Sequence, residues 1–291
     1  MRKRRFDLRK TLFLLPNLIT MSSVFCGFDS IRRSAVAENE DDFYKAAVLI
    51  VFAMFFDMLD GRVARMTKTQ SAFGLQIDSL ADVVSFGVAP SLLVYQWTLR
   101  RFDTLGILAA FLFTACGAIR LARFNVLSMG EEGKPTKPSK YIVGLPIPGA
   151  AGILVSIVVA NHAVAGAIGQ PEYAWAILAA TLGLSALMVS TVQFRSFKEV
   201  KLNARTVLFV TFAIGSSLVI GTQTKAAFIL LWLLGVYVAF GIFESLWRLR
   251  PGGKPALQGP LALKGEATTE AAPLGSPPRG DRVSPGPAGE P

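Results

Sequence analysis

Four aspartates occur in two pairs along a short stretch of the chain, and their spacing suggests that they act together. Asp57 and Asp60 are three residues apart at the end of a strongly apolar run, and Asp78 and Asp82 are four residues apart near the start of the next one. Both spacings place the two carboxylates of a pair on one face of a helix. Because the connection between the helices is short, we expect antiparallel neighbours whose four carboxylates converge.

A cluster of four carboxylates requires positive charge, since the acids repel one another unless a cation lies among them. Only Arg62, Arg65 and Lys68 are close by in the sequence, which is too few to neutralise the cluster. Hard divalent cations with oxygen ligands, Mg²⁺ or Mn²⁺, are the natural cofactors. A pair of such ions can hold a diphosphate and activate a nucleophile, so we expect two ions.

The residues between the two aspartate pairs suit a ligand that carries phosphate. Gly61 directly follows the first pair and permits close approach of a ligand, and Gly74 lies four residues before Asp78, on the same helical face. Arg65 lies one turn beyond Gly61, where its planar guanidinium could grip a phosphate. The alternative for Arg65 is a positively charged anchor at the cytoplasmic surface of a membrane.

Long apolar runs surround this cluster. The chain has 291 residues, of which 52% are hydrophobic and only 17% are charged. Six runs are long enough, or nearly so, to cross roughly 30 Å of hydrocarbon as helices, and they lie at 46–56, 105–119, 150–160, 175–189, 206–220 and 226–243. Two weaker runs, near 12–31 and 77–98, contain polar residues. We therefore predict an all-α integral membrane protein with about eight transmembrane helices and a polar active-site cavity at its cytoplasmic side.

The distribution of charge predicts the orientation of these helices. The formal net charge is +10, and the N-terminus reads MRKRRFDLRK, which the positive-inside rule places in the cytoplasm. With eight alternating spans, most basic residues fall on that side, in 1–10, 62–76, 120–140, 195–205 and the C-terminal tail. The exceptions are Arg32, Arg33, Arg100 and Arg101. We predict a multi-pass protein of the cytoplasmic membrane whose active site faces the cytoplasm, with no nucleic-acid partner.

Composition divides the chain into three parts. Residues 1–10 form a basic cytoplasmic segment, and 11–250 form one membrane domain. Residues 251–291 hold nine of the 16 prolines, so this segment cannot bury enough apolar surface to order itself, and we predict a disordered cytoplasmic tail. Cys26 and Cys116 lie in apolar segments, where a free cysteine behaves as a small hydrophobic residue, and we expect neither a disulfide nor a metal site from them.

The string at 57–82 resembles the signature of the CDP-alcohol phosphatidyltransferase family. It reads DMLDGRVARMTKTQSAFGLQIDSLAD and fits D-x2-D-G-x2-A-R-x8-G-x3-D-x3-D at every fixed position. Members of that family displace CMP from a CDP-linked donor with an alcohol. The resemblance implies that the four aspartates ligate metal and that Asp82 is the base for the acceptor hydroxyl. It also implies that Ser71 lies near the donor.

Further segments look like the phosphatidylserine synthase branch of that family, namely LPNLIT (15–20), SFGVAP (85–90), CGAIRLARFN (116–125) and GLPIP (144–148). The resemblance covers roughly 11–250. It implies CDP-diacylglycerol as the donor, bound in part by Asn17 and Thr20, and L-serine as the acceptor. The expected products are phosphatidylserine and CMP, formed by direct displacement. It further implies a homodimer within membrane lipid.

Some assignments stay open at this point. Arg120 and Arg123 end a predicted span, where arginines commonly extend toward the membrane surface, but their local string also favours binding of the acceptor or a phosphate. Asn125 is similar. The same chemistry with glycerol phosphate or inositol phosphate as acceptor is an alternative. A secondary transporter is a remote alternative, because the acids form one motif and no second copy is present.

Overall fold

A computed structural model describes residues 8–67, 69, 71–128, 141–195, 216–217 and 227–248, all of which belong to one compact unit, Met1–Pro255. Two predicted segments lie largely or wholly outside this described part. They are the apolar run at 206–220, apart from Ser216 and Ser217, and the tail at 251–291. Most of the predicted basic segment at 1–10 also lies outside it.

Helices dominate the described residues. Eight α-helices occur there: α1 Leu8–Ala35, α2 Glu40–Thr67, α3 Ala72–Asp82, α4 Ala89–Trp97, α5 Asp103–Ser128, α6 Ile147–Ala163, α7 Ala174–Val189 and α8 Ala227–Arg248. A π-helical segment, Val83–Val88, joins α3 to α4 and is called the π turn below. Three 3₁₀ segments follow at Leu99–Phe102, Ala167–Gly169 and Pro171–Tyr173.

One small β ribbon departs from the predicted all-helical chain. Strand β1 (Tyr141–Val143) pairs with β2 (Gln193–Arg195) in antiparallel register, with Ile142 opposite Phe194. The two strands follow α5 and α7, so the ribbon joins connections that are distant in the sequence. Helical periodicity in the apolar runs carries no signal for such a short pairing.

Three helical stretches are long and apolar enough, by length and composition, to cross a membrane: Ala72–Trp97, Leu99–Val126 and Pro171–Val189. The apolar helices Ile147–Ala163 and Phe228–Ile242 are shorter. These stretches agree with the prediction of an integral membrane protein, while the count of about eight crossings stays a prediction.

The distribution of side chains also suits a lipid environment. Large apolar side chains point outward, with Phe25 and Leu80 each 69% exposed and Phe111 67% exposed. Hydroxyl and amide side chains such as Ser85 and Asn161 are fully buried. Lipid solvates the outer apolar surface, and buried polar groups in the bilayer must find partners inside the protein.

Polar contacts mark one end of the helix bundle. Glu40, at the start of α2, accepts hydrogen bonds from Asn161 Nδ2 at 2.6 Å and from Trp97 Nε1 at 3.2 Å. Asn161 Oδ1 in turn accepts from the Gly169 amide at 2.7 Å. These residues all come from ends that the charge pattern assigns to the outer side, so the alternation of the described helices agrees with the prediction. Which end faces the cytoplasm stays a prediction.

Asp29 pairs with two of the exceptional arginines. It lies in the last turns of α1 and forms ion pairs with Arg32 Nη2 at 2.7 Å and with Arg33 Nε at 3.0 Å. The single carboxylate offsets one of the two positive charges within the same helix, so these two arginines add one net charge, not two, to this end. Arg101, another exception, donates from Nη2 to the Gly169 carbonyl at 3.2 Å.

Helix α1 packs against the helices that carry the four aspartates. It packs along α2 and also contacts α3, the π turn and α4. Helix α5 packs on α7, and α6 contacts α2 and α8. The fully buried side chains Phe86, Phe113, Ile147, Leu154 and Met188 form part of the core between these helices.

Candidate active site: the aspartate cluster

The four predicted aspartates converge at the end of the bundle opposite Glu40. Asp57, Asp60 and Asp78 each offer a carboxylate oxygen, and these oxygens all lie within 4.8 Å of one another. The Asp82 carboxyl group is in hydrogen-bond contact with that of Asp57. Two carboxyl groups approach this closely only when a proton or a cation lies between them. The set of hard oxygen donors therefore fits a divalent cation such as Mg²⁺ or Mn²⁺.

Helix α1 supplies a neighbour that orients one of these acids. Thr20 is buried, and its Oγ1 lies 2.6 Å from Asp60 Oδ2 and 3.1 Å from the Pro16 carbonyl oxygen. Asp60 itself is only 4% exposed. Thr20 therefore contacts a predicted metal ligand directly. A hydroxyl donor in this position restrains the rotamer of the Asp60 carboxylate.

The start of α3 lies against α1. Ser71 is the N-cap of α3, and its Oγ accepts a hydrogen bond from the Gly74 amide at 2.9 Å. A Cβ on Gly74 would lie 3.2 Å from Ser71 Oγ and 4.0 Å from Asn17 Oδ1. The structure therefore groups three residues predicted to bind the donor, and it gives Ser71 a capping role as well.

Gly61 and Arg65 are one helical turn apart at the end of α2. Arg65 is exposed, and its Nη1 would lie 3.7 Å from a Cβ placed on Gly61. The guanidinium thus lies along the glycine that follows Asp60, and Arg65 forms no ion pair among the residues that the structure describes. A free guanidinium beside a glycine gap is suited to a phosphate.

Arg120 and Arg123 differ in their surroundings, although the sequence leaves both open. Arg120 is 7% exposed, its Nε has no hydrogen-bond partner among the described residues, and it interacts electrostatically with Asp82. Arg123 instead donates to the carbonyl oxygens of Val143, Val189 and Ser190 at 3.1, 3.2 and 3.3 Å. The first arginine faces the aspartates, while the second binds the connections after α5 and α7.

Asn125 also joins α5 to α3, as the interaction of Arg120 with Asp82 does. Its Nδ2 donates to Ser79 Oγ at 2.8 Å, and Ser79 directly follows Asp78. The amide is therefore one residue away from a predicted metal ligand. It is placed to hold α3 against α5, beside the region that the resemblance assigns to the acceptor.

Two buried serines near the site are not identified by the sequence analysis. Ser85 Oγ donates to the Ser23 carbonyl oxygen at 3.1 Å, and Ser23 Oγ donates to the Ala53 carbonyl oxygen at 3.0 Å. The available signal is their polarity within apolar segments, but serines in such segments commonly bond within their own helix. Only tertiary contacts distinguish these two.

Comparison with known proteins agrees with this geometry. A family model described as CDP-alcohol phosphatidyltransferase matches residues 13–187, which is more than half of the chain and includes all four aspartates. That range also contains Thr20, Arg65 and Arg120.

Several curated proteins are similar over much of their length, and each is called a CDP-diacylglycerol–serine O-phosphatidyltransferase. The protein from Helicobacter pylori is 39% identical over 236 residues, covering 81% of this chain and 92% of that protein. The Bacillus subtilis protein is 37% identical, covering 64% and 92%, and the Mycobacterium leprae protein is 32% identical, covering 81% and 77%. With the signature, the converging carboxylates and these matches together, the chain belongs to the CDP-alcohol phosphatidyltransferase family.

Proposed function

We propose that the protein transfers the phosphatidyl group of CDP-diacylglycerol to the hydroxyl of L-serine, which yields phosphatidylserine and CMP. The observation that carries the proposal is the convergence of Asp57, Asp60 and Asp78 within 4.8 Å, with Asp82 against Asp57. The chain is also 39% identical to a protein named for that reaction. A transferase of phospholipid biosynthesis accounts for both.

The four aspartates are the residues that would hold the metal, Mg²⁺ or Mn²⁺, as two ions. When bound, the metal supplies positive charge that offsets the negative charge developing on the diphosphate as CMP departs. Thr20 keeps Asp60 in place through the 2.6 Å hydrogen bond. The protein's own contribution is to keep four like charges together in a defined geometry.

The donor fits beside this cluster, between the end of α2 and the start of α3. Asn17, Gly74 and Ser71 lie together, and Gly61 lies beside Arg65. The glycines leave room for the CDP group, and the guanidinium can form paired hydrogen bonds with a phosphate. The acyl chains stay in the bilayer, alongside the outward-facing apolar side chains of α1 and α3.

Asp82 activates the acceptor serine, and Arg120 binds it. Asp82 takes the proton of the serine hydroxyl, the serine oxygen bonds to the phosphorus that bears the diacylglycerol, and the bond from that phosphorus to the CMP oxygen breaks. No covalent enzyme intermediate is needed. Arg120 Nε is buried without a partner among the residues described, and it interacts electrostatically with Asp82. The carboxylate of the substrate serine would accept a hydrogen bond from Arg120 Nε, while the hydroxyl of the same serine faces Asp82.

The setting of the site is also proposed. The aspartate end of the bundle faces the cytoplasm in the cytoplasmic membrane, and a polar cavity there admits serine. The arrangement of basic residues along the sequence supports this orientation. A homodimer is proposed on the family resemblance alone.

A product assay tests the acceptor. Purified protein with CDP-diacylglycerol should release CMP and convert labelled serine into a chloroform-soluble aminophospholipid, whereas glycerol phosphate and inositol phosphate should give no lipid product. Arg120→Gln should raise the KM for serine and leave the KM for CDP-diacylglycerol unchanged. A lipid product from either phosphate acceptor, with none from serine, would overturn the assignment. Absence of CMP release with every acceptor would exclude the transferase reaction itself.

A further inference from the structure

The π turn begins at the residue after Asp82. In this segment the Ala89 amide bonds to the Val84 carbonyl oxygen, five residues back, so the turn contains one residue more than an α-helical turn. Single π turns within α-helices have a structural cost and frequently occur at functional sites. Its residues Ser85, Phe86 and Gly87 are all buried.

Two serines connect this turn to the helix that carries Asp57. Ser85, three residues after Asp82, donates to the Ser23 carbonyl oxygen on α1 at 3.1 Å. Ser23 donates through its own hydroxyl to the Ala53 carbonyl oxygen on α2 at 3.0 Å. Ala53 is four residues before Asp57, so its carbonyl oxygen is the one that accepts the Asp57 amide in the α-helix. The contact therefore extends from the turn before Asp57 to the turn after Asp82.

Gly27 makes this contact possible. A Cβ at this position would lie 2.8 Å from Ser85 Cα and 2.8 Å from Ser85 Oγ. The backbones of α1 and the π turn thus approach as closely as a glycine permits. Such close packing of small residues is how helices associate in membranes, where polar side chains also join neighbouring helices.

We propose that Ser23 and Ser85 are positioning residues that set the location of Asp82 relative to Asp57 through the π turn. The inference rests on the proposed metal-binding role of the aspartates. Without the two hydroxyls, α3 and the π turn are less restrained against α1 and α2. The carboxyl groups of Asp57 and Asp82 would then vary more in separation, and both metal affinity and proton transfer depend on that separation.

Some other buried serines of the protein bond only within their own helix. Ser156 and Ser185 are both fully buried, but each donates to a carbonyl oxygen of its own helix, at Ile153 and Thr181 respectively. Such bonds join nothing across the bundle. Ser156 therefore serves as a matched control, since its replacement removes a buried hydroxyl without affecting a contact between helices.

The test is direct binding of Mn²⁺ to the purified full-length protein without substrate. Binding is measured as the loss of the EPR signal of the free ion. Ser85→Ala and Ser23→Ala should each weaken Mn²⁺ binding by about tenfold, the lower end of the range for residues that orient metal ligands. Ser156→Ala should bind as the unmodified protein does. Thermal unfolding in EDTA, measured for all three variants, reports the loss of packing separately from the loss of metal affinity.

Either of two results would overturn the proposal. One is Mn²⁺ binding by both Ser23→Ala and Ser85→Ala equal to that of Ser156→Ala. The other is weakening of Mn²⁺ binding by all three variants in proportion to their thermal destabilisation. Because binding is measured without turnover, failure of serine as acceptor or of Asp82 as base leaves this result unaffected. Absence of Mn²⁺ binding by the unmodified protein would instead refute the metal-binding role and the inference with it.

Discussion

Thr20 Oγ1 lies 2.6 Å from Asp60 Oδ2, although the two residues are 40 positions apart in the sequence. The hydroxyl has one proton and two neighbouring acceptors, and the Asp60 oxygen is closer than the Pro16 carbonyl oxygen, which makes it the stronger partner. Asp60 is in turn one of three carboxylates whose oxygens lie within 4.8 Å of one another. Helix α1 therefore takes part in the acidic site without contributing an acid.

Replacement of Thr20 tests this relationship. Thr20→Val keeps the shape and removes the hydroxyl, so Asp60 loses its restraint, and the Mg²⁺ concentration for half-maximal activity should rise by about tenfold. Thr20→Ser retains the hydroxyl and should stay close to the unmodified enzyme. Activity measured across a Mg²⁺ titration gives the half-maximal Mg²⁺ concentration of each variant. Equal half-maximal concentrations for Thr20→Val and Thr20→Ser would argue against the orienting role of the hydroxyl.

Removal of metal should abolish activity. The clustered carboxylates have too little neighbouring positive charge to act alone, so excess EDTA should stop CMP release, and Mg²⁺ or Mn²⁺ should restore it. Release of CMP from CDP-diacylglycerol is the measurement. Full turnover in excess EDTA would contradict the metal-dependent scheme.

Asp82 and Arg65 should affect different kinetic constants. Asp82→Asn keeps size and hydrogen bonding but cannot accept the serine proton, so turnover should fall by about 10²–10⁴-fold while CDP-diacylglycerol still binds. Arg65→Lys keeps the charge and loses the forked guanidinium, which should chiefly raise the KM for the donor.

A Mg²⁺ titration of the Asp82→Asn variant separates its two proposed roles. Recovery of turnover at high Mg²⁺ indicates that Asp82 acts as a metal ligand, and lack of recovery indicates proton transfer. Near-normal turnover of this variant at ordinary Mg²⁺ would show that Asp82 is not the base.

Arg123 should matter for stability more than for the acceptor. It donates to three carbonyl oxygens in the connections after α5 and α7, and loss of such charged hydrogen bonds costs about 1 to 3 kcal/mol of folding free energy. Arg123→Ala should therefore unfold at a lower temperature in detergent, with little change in the KM for serine. Arg120→Ala is the variant for comparison. If Arg123→Ala raised the KM for serine more than Arg120→Ala does, the acceptor-binding role of Arg120 and the structural role of Arg123 would have to be exchanged.

The orientation of the bundle is testable with reporters. Fusions near Glu38 and His162 should read external, and a fusion after Arg250 should read cytoplasmic, because the positive-inside rule predicts that the basic segments of the sequence lie on the cytoplasmic side. His162 stacks on Tyr44 with ring centroids 4.1 Å apart, so the ends of α2 and α6 that carry these residues lie together. An external reading after Arg250 would require an odd number of crossings.

The sequence by itself determined the chemistry of this protein. The aspartate spacing at 57–82 depends on helical periodicity, which is local, and the apolar runs depend on the thickness of a bilayer. Both could therefore be inferred residue by residue. The resemblance to the family rests on the same fixed positions, and the convergence of the carboxylates follows from two helices joined by a short connection.

Only the tertiary structure decided which side chains support that chemistry. Arg120 and Arg123 are equivalent in the sequence, but the packing of α5 directs one toward Asp82 and the other toward backbone carbonyls. Ser23 and Ser85 resemble any serine in an apolar helix until α1, α2 and the π turn are placed together. The reason is physical: such contacts depend on the rotation and separation of helices that are distant in the sequence, which local periodicity does not specify.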